Sequence, residues 1–278
     1  MNARLAPSVQ VAAVDAWRSA PPDQALQNHP DEVAIEEPLE IRVAGEPLAV
    51  TMRTPGHDHE LVAGFLLAEG LIQSRADLGG IHHCARLGSA GAHNTIEVLP
   101  APGVVLSTEA TRRMTLSTSA CGMCGRKLID DLLERLRPAA PSALFERSFI
   151  AGLSSELGKQ QPSFKRTGGL HAAGIALDAG GLRVVREDVG RHNAVDKVIG
   201  RLVLDGQLPA PGGVLVVSGR TSFEIVQKAL AAGLSGVVGV SAPSSLAVST
   251  AARFGLLLCG FARGNVFNVY AGPERLAD

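Results

Sequence analysis

Residues 214–219 read VLVVSG, and the four segments after them decide the fold: SFEIVQKALAAG (222–233), VVGVSA (237–242), SLAVSTAARFG (245–255) and LLLCGF (256–261). Short, uninterrupted apolar runs flanked by small residues suit strands buried on both faces. The segments between them space their apolar residues for amphipathic helices, and glycines close two of them. Strand–helix alternation of this kind predicts a mostly parallel sheet with helices on both faces, closed by LLLCGF as its last strand. Upstream, HAAGIALD (171–178) and GLRVVRE (181–187) read as two strands joined by an Ala-Gly-Gly turn, and NAVDKVIGRLVLDG (193–206) reads as a helix. Before a proline-rich linker, RKLIDDLLERLRP (126–138) places Leu128, Ile129, Leu132, Leu133 and Leu136 on one side of a further helix that Pro138 stops.

The first part of the chain has a different pattern. Leu39, Ile41 and Val43 alternate, a glycine-containing turn follows, and Leu48, Val50 and Met52 alternate again, which predicts a hairpin. Leu61, Val62, Phe65 and Leu66 then fall at helical spacing, with Gly70 placed to end the helix. IHHCARL (81–87), NTIEVLP (94–100) and VVLS (104–107) are further strand candidates. The expected organisation is a loosely ordered extension over 1–30, anchored by Trp17, a small α+β domain over 31–115, and a larger α/β domain over 116–278.

Ligands of open α/β sheets bind beyond the carboxyl ends of the strands. The four segments expected there are REDVGRHN (186–193), SGRTS (218–222), SAPSS (241–245) and FARGNV (261–266). Each combines small residues with polar ones, and three carry arginine. Glycines allow close approach, helix N-termini offer N–H donors, and guanidinium forks match phosphate. A phosphate-bearing, nucleotide-like ligand is the expectation. No G-x-G-x-x-G follows a strand, and GLSSELGKQ (152–160) misses the P-loop pattern by one residue and by its Gln. His57-Asp58-His59-Glu60 resembles a metal cluster, but neighbouring helix positions diverge, so Asp58 is read instead as an N-cap. For His192, structural and site roles are both open.

Composition narrows the partners. The chain has 278 residues, 46% hydrophobic and 19% charged, with 26 basic against 27 acidic residues and a net charge of −1. A broad footprint for nucleic acid or anionic membrane is not expected. No apolar leader is visible, and the uncharged run 229–252 carries Pro243, three glycines and five serines, poor companions for lipid. Four cysteines, at 84, 121, 124 and 259, are too few for a secreted disulfide scaffold, so a reduced, cytoplasmic protein is expected, with Cys84 and Cys259 as small buried apolar groups.

The remaining pair lies in SACGMCGRK (119–127). Structural zinc would need a second ligand pair, which is missing. Zinc deaminase chemistry would need His-x-Glu and a proline at 120, where alanine stands. At the start of the expected helix, the dipole, Arg126 and Lys127 would favour a thiolate, which points to sulfur transfer.

Four runs carry a resemblance: S-x-C-G-x-C-G (119–125), R-E-D-V-G-R-H-N-A-V-D-K (186–197), S-G-R-T-S-F-E (218–224) and F-A-R-G-N (261–265). Together they resemble the FdhD family, sulfur-carrier accessory proteins of formate dehydrogenase. The resemblance implies a cytidine-deaminase-like three-layer αβα domain and a homodimer. It implies a sulfurtransferase that takes sulfur from a cysteine desulfurase as a persulfide on Cys121, with Cys124 assisting. The sulfur would go to the molybdenum of a bis(molybdopterin guanine dinucleotide) cofactor, a bound substrate that GDP-like nucleotides would mimic, before insertion into formate dehydrogenase. The family's cofactor stretch falls on Phe261, Ala262, Arg263, Gly264, Asn265 and Val266. Ser218, Arg220, His192 and Asn193 are expected to join it, with no protein-bound metal. The alternative is a non-enzymatic cofactor chaperone whose cysteines are structural or zinc-bound.

Overall fold

The computed structural model describes residues 10–18, 27–84, 93–107, 133–134, 136–140, 144–178 and 180–277. Cys121, Cys124 and most of the helix expected after them lie outside these residues.

Strands β3 (Glu37–Val43) and β4 (Glu46–Arg53) form the expected hairpin. Its turn, Ala44–Gly45, has positive φ at both residues, the twist that suits a two-residue connection. Helix α1 (Asp58–Ala68) follows, ended by Gly70 at φ 70. Strands β5 (Leu78–His83) and β6 (Thr95–Pro100) complete a four-stranded sheet of order β4-β3-β6-β5, in which β3 and β6 run parallel. Leu39, Ile41, Ile96 and Val98 are buried beneath α1. A register shift between Ile41 and Arg42 breaks the alternation on β4, so Leu48 points inward while Val50 and Met52 are exposed. The segment 104–107, expected as a strand, is irregular: Leu106 reaches the core and Val105 stands in solvent.

In the larger region, β7 (Phe145–Glu146) leads into α2 (Arg147–Lys159) and α3 (Pro162–Thr167). Then come β8 (His171–Ala176), β9 (Leu182–Asp188), α4 (Arg191–Leu204), β10 (Val214–Val217) and α5 (Phe223–Ala231). The chain ends with β11 (Gly236–Gly239), α6 (Ser245–Arg253), β12 (Leu257–Arg263), β13 (Val266–Ala271) and β14 (Leu276–Ala277), the last paired with β7. The main sheet has the order β13-β12-β11-β10-β8-β9. It is mixed rather than mostly parallel: β10, β11 and β12 are parallel, while β8, β9 and β13 each join antiparallel. Nor does LLLCGF close the sheet. The chain reverses at Gly264, with φ 56, and returns as the edge strand β13.

Both sheet faces are covered, as the apolar runs require. On β10, Val214 and Val216 face α2, whose Ile150, Leu153 and Leu157 pack there, while Leu215 and Val217 face α4, α5 and α6. This gives a three-layer α/β arrangement. The uncharged run 229–252 resolves into the end of α5, β11 and the start of α6, and among the described residues no helix is long and apolar enough to cross a membrane.

Two expectations about organisation change. The regions expected as separate domains share one core, because α1 lies backbone-to-backbone on α4. A Cβ on Gly64 would stand 2.0 Å from the Asp196 carbonyl oxygen, and one on Gly200 would stand 1.7 Å from that of Glu60. The expected loose extension contains a ribbon, β1 (Val11–Arg18) paired with β2 (Gln27–Ala34). Pro30 is tolerated in it because both strands of a two-stranded ribbon are edges. Its base is fixed by Ile35 N–H donating to the Gln10 carbonyl at 2.9 Å, by Ser163 Oγ donating to Gln10, and by Arg166 pairing with Glu32.

Candidate functional site

Antiparallel placement of β8 brings the ends of β9, β10, β11 and β12, and the start of β8, to one edge of the main sheet. All four segments of small and polar residues therefore emerge together, as the sequence predicted. Tertiary partners sort them into groups already occupied and groups left open.

Several charges here serve the fold. Arg186 pairs with Glu60 of α1, Nε to Oε2 at 2.6 Å and Nη2 to Oε1 at 2.8 Å. Burial alone would raise the Glu60 carboxyl, but hydrogen bonds from His57 and Arg186 overcome it and bring the pKa down to about 2. Asp188 and Lys197 are fully buried with Nζ to Oδ2 at 2.7 Å, and Lys197 also donates to the Thr54 carbonyl at 2.8 Å. Asp188 further accepts from the N–H groups of Thr54 and Gly190. Asn193 donates to the Met52 carbonyl at 2.7 Å and to Asp188 at 3.1 Å, while its oxygen accepts from Thr51 at 3.3 Å. Its amide thus ties α4 to β4, a structural duty that the sequence did not reveal. Asp58 is likewise not the N-cap. His57 takes that place with φ 60, and Asp58 forms a two-pronged pair with buried Arg53, both distances 3.1 Å. Within this run, Asp58 is held by Arg53, while His57 Nδ1 lies 3.5 Å from Glu60 Oε2.

Other groups face the edge. The Ser218 hydroxyl accepts from Ala172 N–H at 2.9 Å, which fixes the β10 loop beside β8. At Gly219 a Cβ would meet His171 Nδ1 at 3.3 Å and Arg191 Cδ at 3.7 Å, so this bare position lets three segments converge. His171 is held below its ordinary pKa by burial first and then by Arg191 and His192, against a smaller pull from Asp188. Arg191 Nε is buried with no hydrogen-bond partner among the described residues. His192 Nε2 lies 2.8 Å from Glu224 Oε2 and 3.2 Å from Ser222 Oγ. Helices α4 and α5 start here with no side-chain cap, which leaves backbone N–H donors directed at the edge. Arg220 is exposed and makes no hydrogen bond or ion pair with the described residues.

The Phe261–Val266 stretch is the β12–β13 turn at the same edge. Phe261 has φ 53, and its N–H donates to the Ser241 carbonyl at 3.2 Å, while Pro243 Cδ lies 3.0 Å from where a Gly260 Cβ would be. Thr221 is tied to Ala242 and Ser244 by backbone hydrogen bonds, so the 218–222, 241–245 and 261–266 segments form one connected rim. Ala262 is buried, and Arg263, Gly264, Asn265 and Val266 are exposed. Asn265 and Val266, with Phe267, also line a shallow depression of about 520 Å³ against Arg147, Ser148 and Ala151 of α2. Neither Glu224 nor His171 was singled out from sequence, whereas Arg191 was counted there among the loop arginines. Glu224 lay inside a quoted run, but only the fold shows that it meets His192.

The cysteines that are described divide by burial. Cys259 is enclosed under α2, and burial pushes its thiol up to about 12, an inert group. Cys84, expected to be buried, is only half-covered at the end of β5.

The carboxyl edge of this mixed α/β sheet thus gathers arginines, histidines and two helix starts without side-chain caps. The chain belongs to the FdhD/NarQ family, whose model matches residues 34–277. It is similar to proteins named sulfur carrier protein FdhD. The one from Streptomyces avermitilis is 47% identical over 260 residues, 92% of each chain. That from Anaeromyxobacter dehalogenans is 50% identical over 256 residues, 88% of each. That from Mycobacterium tuberculosis is 44% identical over 261 residues, 91% of this chain and 94% of the relative. The crystal structure of a candidate formate dehydrogenase accessory protein from Desulfotalea psychrophila matches with a TM-score of 0.76 at 25% identity, covering 96% of this chain and 100% of that one.

Proposed function

We propose that this protein is a cytoplasmic sulfur carrier for formate dehydrogenase. It takes sulfur from a cysteine desulfurase on Cys121 and delivers it to a molybdenum bis(molybdopterin guanine dinucleotide) substrate held at the sheet edge. The observation that carries this reading is near-full-length similarity to proteins named sulfur carrier protein FdhD, in a chain that carries a Cys-Gly-Met-Cys run. In the loading step the Cys121 thiolate attacks the terminal sulfur of the desulfurase persulfide. A new S–S bond forms on Cys121 as the donor's S–S bond breaks, and the electron pair leaves on the donor thiolate. Cys124 assists, by shielding or later resolving the persulfide. Arg220 and Arg263, with Ser218, His192 and the starts of α4 and α5, hold the substrate's phosphates and bases. A homodimer would present two such edges to a cofactor with two nucleotide arms.

The test is intact-mass spectrometry of the full chain after incubation with a desulfurase and cysteine. A gain of one sulfur, about 32 Da, localised to Cys121 is expected, because the thiolate is the attacking species. Cys121→Ala should lose both that gain and support of formate dehydrogenase activity while melting like the wild type. Full activity in that variant would overturn the assignment.

A further inference from the structure

Glu224 stands apart among the edge residues. It sits in the first turn of α5 with its side chain 57% exposed, beside His192. His192 Nε2 holds Oε2 at 2.8 Å, while Oε1 makes no hydrogen bond with the described residues. The carboxyl is kept ionised first by the hydrogen bond from His192, against burial, with Lys228 and Arg191 adding attraction. A fixed negative charge repels phosphate, so at an otherwise cationic edge this group is not a phosphate ligand.

An ionised carboxylate offers two parallel acceptor oxygens with about four lone-pair sites, enough to keep His192 and still accept two adjacent N–H donors. A 2-amino-4-oxopyrimidine ring presents that donor pair, a ring N–H beside an exocyclic amino group. Guanine carries this edge and so does a pterin. Adenine places a bare acceptor nitrogen at the ring position, which a carboxylate repels. We propose that Glu224 is the specificity residue of this site, reading the 2-amino-4-oxopyrimidine edge of the substrate. The inference rests on the nucleotide-bearing substrate proposed above. The rival account is structural, since an acid in a helix's first turn complements the dipole and the ion pair with His192 needs no ligand.

Isothermal titration calorimetry of the full chain with GDP, IDP, ADP and inorganic pyrophosphate separates these, using wild type and Glu224→Gln. Wild type should bind GDP at least about tenfold more tightly than IDP, which lacks the amino group, or ADP. Glu224→Gln should lose about 10- to 100-fold for GDP, with ADP and pyrophosphate unchanged, the loss expected for hydrogen bonds to a charged group. Neopterin competing with GDP in wild type and not in the variant would assign the pterin ring to this position, and failure to compete would assign guanine. The proposal is overturned if the variant keeps the wild-type preference for GDP, or if wild type binds GDP and ADP alike; both results leave the nucleotide reading standing. Wild type that binds neither GDP nor pyrophosphate refutes that reading and this inference together. The substituted side chain is exposed and nearly isosteric, and a thermal melt verifies that the variant folds.

Discussion

Arginines of similar appearance in the sequence do opposite work in the fold. Arg186 opens the run quoted with the family resemblance, yet it is held by Glu60, with the two side chains 18% and 8% exposed. Arg220 and Arg263 project into solvent. Arg186→Ala leaves a buried carboxylate without its main partner, a change that costs about 3 kcal/mol when ion pairs of this kind are broken on one side. A lowered melting temperature is expected, which differential scanning calorimetry would record. Arg263→Ala should melt within about 0.5 kcal/mol of wild type, as exposed substitutions do, while its GDP affinity falls several-fold because one charge-assisted contact is lost. Equal stability of the two variants would contradict this division of labour.

At the scale of elements, the tightest helix crossing among the described residues is that of α1 on α4 at Gly64 and Gly200. Nothing local marks these glycines, because a helix-interior glycine reads only as a weak position. With a Cβ placed 2.0 or 1.7 Å from a facing carbonyl oxygen, even alanine requires the helices to part. Gly64→Ala should cost about 3 kcal/mol or more, at the upper end of overpacking penalties, and chemical denaturation would measure it. The same contrast explains what could be read from sequence. VLVV and VVGV are apolar without interruption, so their burial on both faces was legible, and strand–helix alternation put the four loops at one edge. β13 was missed because VFNVYA mixes apolar and polar residues on an exposed edge strand. The β1–β2 ribbon was missed because, among its described side chains, only Val11 near its base is buried. The duties of Arg186 and Asn193 were illegible for a different reason, since their partners lie 126 and 141 positions away in the chain.

For the whole molecule, the Glu60–Arg186 ion pair joins the part before residue 115 to the part after it, so the response to acid reports on that union. Glu60 has a folded pKa of about 2 against an ordinary 4.5. A carboxyl depressed on folding contributes stability that is fully present above the unfolded value and is lost as pH falls through the folded one. From the two values the contribution is about 3 kcal/mol at neutral pH, decaying from about pH 4.5 toward pH 2. Asp196 acts in the opposite sense: burial outweighs its pairing with Lys228 and raises its carboxyl, so its contribution fades as pH rises. A wild-type acid melt alone would mix the two. Glu60→Gln cannot ionise at this position and leaves Asp196 in place. The difference in unfolding free energy between wild type and Glu60→Gln therefore isolates the Glu60 pairing. It should be largest near pH 6 and shrink steadily below pH 4.5. A pH-independent difference would mean that Glu60 is not held ionised by Arg186 and His57.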